Sequence, residues 1–559
     1  MKAADYIVSF LSAAGIRHIF GYPGSPLVPL LEAISRQPSV QWILTRHENS
    51  AAMAASAQAK LTGRPSVCVS TSGPGVLNCV CGIADAHLDR APLIAITGLV
   101  STASQRHSEF QDVDQTSLFS TMLPRSASCV HPSQLPPLLR NFLGHAEQYQ
   151  AAVHLALPLD ILNTEVDADD PHFKVDRARL PARLSLMPPP QAALDIVSRD
   201  LEEFNQTVIV LGRRALGCGG AIEELAAKIG APIITSLDGK GIVDESHPNC
   251  LGVLGIFGFP AVETTQRMLK EAEAVLAFGV DTLKPFLTGS KDVQERSLIQ
   301  CEPDFSSLTQ EYHRDRTLVG PLDAIARGLR DRVRPRPESP MIRALAEERQ
   351  ARMQATLSSL AAGRDQRYAH PMDFLLRLNP FLEGSEKYIV IFDTGAHTLW
   401  AAQYLKLTRR QRVIVSNRLG IMGFSLPAAI AAQLTYPDHR TIAICGDGGF
   451  AMVVGEIATA VQYRLPIILI IFNNGVLQNV LAQQATPYGT ELHNPDFVAL
   501  ARAFGADGAV VDGGTEVEAV LNQALACTDR PFIIDLHSDP GLEVPLSKWD
   551  KTFAAVNFA

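Results

Sequence analysis

Positive charge is in short supply: 49 Lys and Arg face 58 Asp and Glu, a formal net charge of −9 over 559 residues. That balance argues against nucleic acid or an anionic membrane surface as the main partner. Long apolar runs are missing too. No stretch of about 18 apolar residues occurs, so no membrane-spanning helix is expected, and Leu465 to Phe472 has the length of a core strand. The chain does not open on a basic segment followed by an apolar run; Ala3 to Ala14 reads as an amphipathic first helix. A disulfide framework is also excluded. The nine cysteines are scattered, many inside strand-like runs such as those of Cys68, Cys301 and Cys445. The Cys79/Cys81 spacing is wrong for a zinc knuckle, and both are expected to be buried small residues. A reduced, cytoplasmic compartment follows. No short-period internal repeat is visible.

The chain is too long for one core, and about three domains is the length-based expectation. Proline-rich breaks at Pro188-Pro189-Pro190 and Arg334-Pro335-Arg336-Pro337-Glu338-Ser339-Pro340 read as solvated, stiffened linkers. Three blocks result, 1–170, 190–332 and 345–545. The first and third alternate apolar strands with amphipathic helices, the pattern of a parallel α/β fold. The middle block opens with a strand, Thr207 to Leu211, then Gly212-Arg213-Arg214 and Gly217-Cys218-Gly219-Gly220, then a helix from Ala221 to Gly230. That is the outline of a Rossmann-like fold, although a loose set of glycines is weak evidence for a bound nucleotide.

The most informative segment is Gly446-Asp447-Gly448-Gly449-Phe450, with Asn474 of Phe472-Asn473-Asn474-Gly475 following 27 positions after its aspartate. A Gly-Asp-Gly alone is most often a turn. Here Thr441 to Cys445 reads as one buried strand, Ala451 to Tyr463 as a helix and Leu465 to Phe472 as a second strand. Such a crossover belongs to a parallel sheet, and ligands of these sheets sit at the carboxyl ends of the strands, where Asp447 and Asn474 fall. Carboxylate and amide oxygens suit Mg²⁺, which completes its shell with water and phosphate. The expectation is a magnesium-diphosphate site.

With these residues the sequence resembles the thiamine-diphosphate-dependent enzymes, whose motif is GDG followed by NN. The resemblance implies three doubly wound parallel-sheet domains: pyrimidine-binding, central Rossmann-like and diphosphate-binding. It also implies thiamine diphosphate and Mg²⁺ as cofactors, with Asp447, Asn474 and the Val476 carbonyl as metal ligands. Thr45-Arg46-His47-Glu48-Asn49 is similar to the family's Arg-His-Glu motif. Glu48 is then the carboxylate that bonds the aminopyrimidine ring and favours the imino tautomer that acts as base. A glutamate opening a helix is otherwise a favourable charge on the helix dipole. Further likenesses are Phe20 to Gly24 (Tyr22, Pro23, Gly24 beside the pyrimidine) and Thr71 to Asn78 (Pro74, Asn78). Asp393 to His397 resembles the segment meeting the diphosphate (Thr394, Gly395, Ala396, His397). Gly420-Ile421-Met422-Gly423 puts Met422 where the family supports the bent cofactor; elsewhere a Met is core filler. Gly448, Gly449 and Leu477 complete the implied cofactor contacts. The family's sites form between subunits, so a homodimer or homotetramer is expected.

In acetolactate synthases and pyruvate oxidases, the branch this chain resembles, the central domain holds FAD. Two departures, Phe278-Gly279-Val280-Asp281-Thr282 and Ile299-Gln300-Cys301-Glu302-Pro303, leave FAD open. The loop Ser108-Glu109-Phe110-Gln111-Asp112 resembles the Phe-Gln pair that packs on a small substrate, making Phe110 and Gln111 candidates. His107 beside them is a candidate acid; the pyruvate decarboxylases' adjacent His-His pair is absent. The implied reaction is acetolactate-synthase-like decarboxylation of a 2-keto acid such as pyruvate, with carboligation to a second carbonyl. A pyruvate-oxidase-like flavoenzyme and a non-oxidative decarboxylase or lyase are the alternatives. Asn479 and Gln483 replace a Met and a Trp of the synthases, which points to a more polar substrate. The tail from Pro545, with Trp549, Phe553 and Phe558, is expected to close over the site rather than bind membrane. A non-catalytic paralogue is disfavoured because Glu48 and Asp447 are both kept.

Overall fold

A computed structural model describes residues 1–107, 110–181, 187–253, 271–281, 297–308, 316–337, 339–362, 367–383, 387–542 and 544. Thr282, Ser108, Glu109 and the tail with Trp549, Phe553 and Phe558 lie outside the described residues.

Three six-stranded sheets carry the chain, and every pairing within them is parallel. The first holds β1 (His18–Gly21), β2 (Gln41–Leu44), β3 (Ser66–Ser70), β4 (Leu93–Leu99), β5 (Ser126–Ser128) and β6 (Ala152–Pro158), in the order β2-β1-β3-β4-β6-β5. The central sheet holds β7 (Thr207–Leu211), β8 (Ile233–Thr235), β9 (Cys250–Val253), β10 (Ala274–Phe278), β11 (Ser297–Glu302) and β12 (Arg316–Val319), in the order β12-β11-β10-β7-β8-β9. The third holds β13 (Tyr388–Phe392), β14 (Arg412–Val415), β15 (Arg440–Gly446), β16 (Ile468–Asn473), β17 (Asp507–Val511) and β18 (Phe532–His537), in the order β14-β13-β15-β16-β18-β17. The first and third sheets therefore share one topology, a repeat that the sequence does not display.

Alanine joins these two domains. The helix Glu48–Thr62 buries Ala51, Ala52, Ala54, Ala55, Ala57 and Ala59, and the helix Ser425–Thr435 buries Ala428, Ala429, Ala431 and Ala432. Small side chains let helix backbones approach, and residues of both domains merge into one apolar cluster. The central domain has a separate core.

Lys60, on the same alanine-rich helix, is buried. Its Nζ donates to Asp85 and Asp89 at 2.7 Å each and to the Val415 carbonyl at 3.1 Å, and lies 4.6 Å from the Phe424 ring centroid. Ser56 and Ser416 donate to Asp85 at 2.6 Å, and the backbone N–H groups of Asn417 and Arg418 donate to Asp89 at 2.9 Å. The ion triad is thus fully hydrogen-bonded, as buried charge requires.

Several sequence expectations shift on the structure. The helix expected over Ala451 to Tyr463 is two short ones, Asp447–Val453 and Glu456–Gln462, broken at Val454-Gly455. The strand expected from Leu465 starts at Ile468, because Pro466 cannot donate to the ladder. Cys79 is buried as expected, but Cys81 is exposed, since it faces outward on the helix Val80–Leu88. Among the described residues, no helix is long and apolar enough to cross a membrane.

Burial pushes both His154 and His397 down to about 3 from 6.5, so both fold as neutral imidazoles. Because the folded pKa is depressed, the stability this contributes is complete above pH 6.5 and is lost as pH falls towards 3. Each histidine is expected to cost about 2 kcal/mol between pH 7 and pH 5. His154→Gln, which keeps a polar partner for Thr97 and Ser126, should flatten that slope. Urea midpoints of wild type and variant at the two pH values check this.

Candidate functional site

Two groups of residues gather at the carboxyl ends of equivalent strands in the first and third sheets. In the third domain, β15 ends at Gly446 and Asp447 opens the helix Asp447–Val453, while β16 runs into Asn473-Asn474-Gly475. The buried Asp447 carboxylate accepts from the Gly448 N–H at 2.8 Å, the Gly475 N–H at 2.7 Å and Asn494 Nδ2 at 2.8 Å. These bonds tie the two strand ends together and fix the carboxylate. Asn474 Oδ1 accepts from the Val476 N–H at 3.1 Å, and its Nδ2 donates to Gln478 at 3.2 Å. Burial pushes the Asp447 pKa up, the response of a carboxylate with little positive charge nearby.

Asp447, Asn474 and Gln478 border a cavity of about 270 Å³. Thr394, Gly395, Ala396, His397, Met422, Gly448, Gly449, Val476 and Leu477 line it as well, so most of the predicted diphosphate residues converge. Gly448 keeps the approach close, since a Cβ there would press on the Leu477 and Leu492 methyl groups at 3.0 and 3.3 Å. Gly420 does not line the cavity; at φ +67° it shapes the turn that presents Met422. Asp393 holds that turn by accepting from the N–H groups of Thr394, Gly423 and Ser425 and from the Ser425 hydroxyl, at 2.7 to 3.1 Å. On the wall, Thr394 Oγ1, His397 Nε2 and Asn479 Oδ1 are buried without a hydrogen-bond partner. Unpaired buried polar atoms are costly, so their convergence marks a polar ligand. Gln483 instead donates to the Asn479 carbonyl and is exposed.

The second group lies in the first domain, at the ends of β1, β2 and β3. Glu48 opens the alanine-rich helix, is largely buried and accepts from Asn78 Nδ2 at 3.0 Å. Gly75, after Pro74, brings its backbone to the carboxylate, since a Cβ there would stand 3.3 Å from Glu48 Oε1. Gly24 packs so tightly on Thr71 that a Cβ would meet its hydroxyl at 2.1 Å, which positions Tyr22 and Pro23 beside the cluster. Gln111 arrives with φ +63°, a strained backbone for a glutamine, and lies over Gly73. Phe110 is 80% exposed and His107 is exposed too. Among the described residues, none before Pro371 lines the Asp447 cavity, and Glu48 does not reach it within one chain.

Sequence reasoning missed Asn494, and it named Asp393 only as the first residue of the segment meeting the diphosphate, without the turn-holding role. The only available signals were an Asn-Pro start to an irregular segment and an aspartate ending a strand. Among the described residues no group of three His, Cys, Asp or Glu is placed to hold a metal ion. The donor set at Asp447 is one carboxylate with amide and carbonyl oxygens, the kind used by a hard cation that keeps water and phosphate ligands.

Residues 1–118, 195–329 and 393–536 match the Thiamine pyrophosphate enzyme N-terminal TPP binding domain, central domain and C-terminal TPP binding domain. A probable acetolactate synthase large subunit of Methanocaldococcus jannaschii is 30% identical, over 98% of this chain and 93% of that protein. The acetolactate synthase isozyme 2 large subunit of Escherichia coli is 30% identical, over 96% of each. A pyruvate oxidase of Lactiplantibacillus plantarum is 28% identical, over 95% of this chain and 88% of that protein. With its three domains matched in order and relatives aligned almost end to end, the chain belongs to the thiamine pyrophosphate enzyme family.

Proposed function

We propose that the protein is an acetolactate-synthase-like enzyme that decarboxylates a 2-keto acid such as pyruvate and joins the remaining fragment to a second carbonyl. The observation that carries this reading is the pairing of Asp447 with Asn474 at two adjacent strand ends, facing a cavity whose wall holds unpaired polar atoms. The residues fit thiamine diphosphate and Mg²⁺. Asp447, Asn474 and the Val476 carbonyl would hold the cation, whose charge answers the raised Asp447 pKa. The Thr394 hydroxyl would donate to a diphosphate, which offers only acceptors, and His397 would line the same wall as a neutral imidazole. Thiamine diphosphate, when bound, supplies the nucleophilic carbon and the electron sink for C–C chemistry beside a carbonyl.

Glu48 would hydrogen-bond the pyrimidine ring nitrogen, kept in place by Asn78 and packed against Gly75. Gln111 and Phe110 would meet the substrate from the same side, with His107 near them. Glu48→Gln is expected to slow turnover by about 10²- to 10⁴-fold, the range for a positioned acid–base group. Unchanged melting temperature and cofactor affinity should accompany the loss, and a variant of near-normal rate would refute the role.

Glu48 and Asp447 would serve one site from two subunits of a cytoplasmic homo-oligomer, with domains over 1–170, 190–332 and 345–545. The exposed Tyr22, Leu77 and Phe110 beside Glu48 support this. Mixing Glu48→Gln and Asp447→Ala chains by joint refolding tests it. Half of random dimers are mixed, and one of their two sites is intact, so about a quarter of the activity should return. No recovery from a verified mixed dimer would overturn the shared site.

A further inference from the structure

In a doubly wound sheet a dinucleotide enters where the strand order reverses, with its diphosphate on the helix N-terminus after the first strand. In the central domain these places are the crevice between the ends of β7 and β10 and the start of the helix Gly219–Ile229. Both are taken by the chain itself. The turn after β7 is bonded to β10: the Gly212 N–H donates to the Phe278 carbonyl at 3.0 Å and the Arg214 N–H to the Gly279 carbonyl at 3.3 Å. The approach is backbone to backbone, since a Cβ on Gly212 would stand 2.3 Å from the Gly279 carbonyl oxygen. Arg214 then spans the strand ends. It donates to Asp281, to Glu302 at 2.9 Å and to the Val280 carbonyl at 2.9 Å, and the carboxylate side chains are 2% and 0% exposed. The start of the helix is covered as well. A Cβ on Gly219 would stand 1.8 Å from the Ile242 carbonyl oxygen, and Glu223 in its first turns accepts from the Asp244 N–H at 2.7 Å and pairs with Arg409.

We propose that the central domain binds no flavin or other dinucleotide, and that Arg214 with Asp281 and Glu302 fills the crevice as a strut. The guanidinium is already matched by two buried carboxylates, so a diphosphate there would compete with Asp281 and Glu302 for Arg214, and among the described residues the neighbouring Arg90 and Arg213 are turned to Asp281 and to the Asp89 carbonyl. The strut reaches the first domain: Arg90 approaches Asp281 at 3.9 Å, and Arg213 donates to the Asp89 carbonyl, next to the Lys60 triad. Decarboxylation with transfer to a second carbonyl is redox-neutral and needs no electron carrier, whereas an oxidase needs one.

The protein purified with thiamine diphosphate and Mg²⁺ is denatured and the supernatant examined for flavin absorbance and fluorescence; the native protein is then titrated with FAD. Neither released flavin nor saturable fluorescence quenching is expected, and the carboligation rate should be the same with and without FAD. Stoichiometric flavin in the supernatant, or saturable binding, would overturn the proposal. Inactivity with thiamine diphosphate alone in a flavin-free protein that ignores FAD would count against the function proposed above and still support the closed crevice. Arg214→Met should lower the melting temperature by several degrees and leave the substrate KM unchanged, with Arg214→Lys restoring part of the loss. An unchanged melting temperature would refute the strut.

Discussion

Replacing Asp447 with alanine should lower kcat/KM by about 10³-fold, the equivalent of roughly 4 kcal/mol of lost metal-ion stabilisation. The carboxylate is the one full negative charge among the proposed ligands, and its removal also releases the Gly475 N–H and Asn494 Nδ2, which hold the ends of β15 and β16 in register. The loss should appear first in cofactor capture. Thiamine diphosphate with Mg²⁺ at about a hundred times its Kd should stabilise the wild type by about 2.7 kcal/mol. The variant should show no such rise in a thermal scan, although its apo stability stays close to that of the wild type. Asn494→Ala, which removes a donor to the Asp447 carboxylate, should fall between the two, with a loss of about 10- to 100-fold in metal affinity. An Asp447→Ala protein that still gains stability from the cofactor pair would end the assignment.

Lys60→Met has the largest expected effect on stability. The lysine does not line the Asp447 cavity, yet removing it leaves Asp85 and Asp89 as buried carboxylates without their cation. Breaking a buried pair in this way costs about 3–5 kcal/mol, or roughly 10 °C in melting temperature for domains of this size. Before the change, Lys60 holds the Asp89 pKa low against burial, while burial still pushes Asp85 up. Afterwards both should rise, and part of the lost stability should return in mild acid, where protonation removes the unpaired charge. Removing the triad together, as Lys60→Met with Asp85→Asn and Asp89→Asn, should cost less than the single change. A single variant melting within a degree or so of wild type would show that the triad bears little of the junction between domains.

The third-domain site was largely legible in the chain because its residues sit on short apolar strands that end in glycine and polar residues. Asp447, Asn474, Thr394 and His397 all come from such endings. Asn494 was not legible, since it reaches Asp447 from an irregular segment whose path no periodicity defines. Lys60 was hidden for a different reason. In an alanine-rich helix it reads as a solvent-facing charge, and its partners come from the helix Val80–Leu88 with the turn after it and from the end of β14. The central glycines were ambiguous for a third. Gly212 and Gly219 suggest room for a phosphate, but the same lack of a side chain serves equally well to press backbone against backbone, and only the fold tells which.

The apolar cluster shared by the first and third domains has a consequence for how the chain is made. The helix Glu48–Thr62 leaves the ribosome early, and its partner Ser425–Thr435 follows roughly 360 residues later. At about 5–20 residues per second, the alanine-rich face waits some 20 to 70 s for its cover. During that interval the first domain cannot finish its core, while the central domain, which buries its own, can. Completion of the nascent protein therefore runs out of order: the middle of the chain matures before the beginning, and the last third folds onto the first.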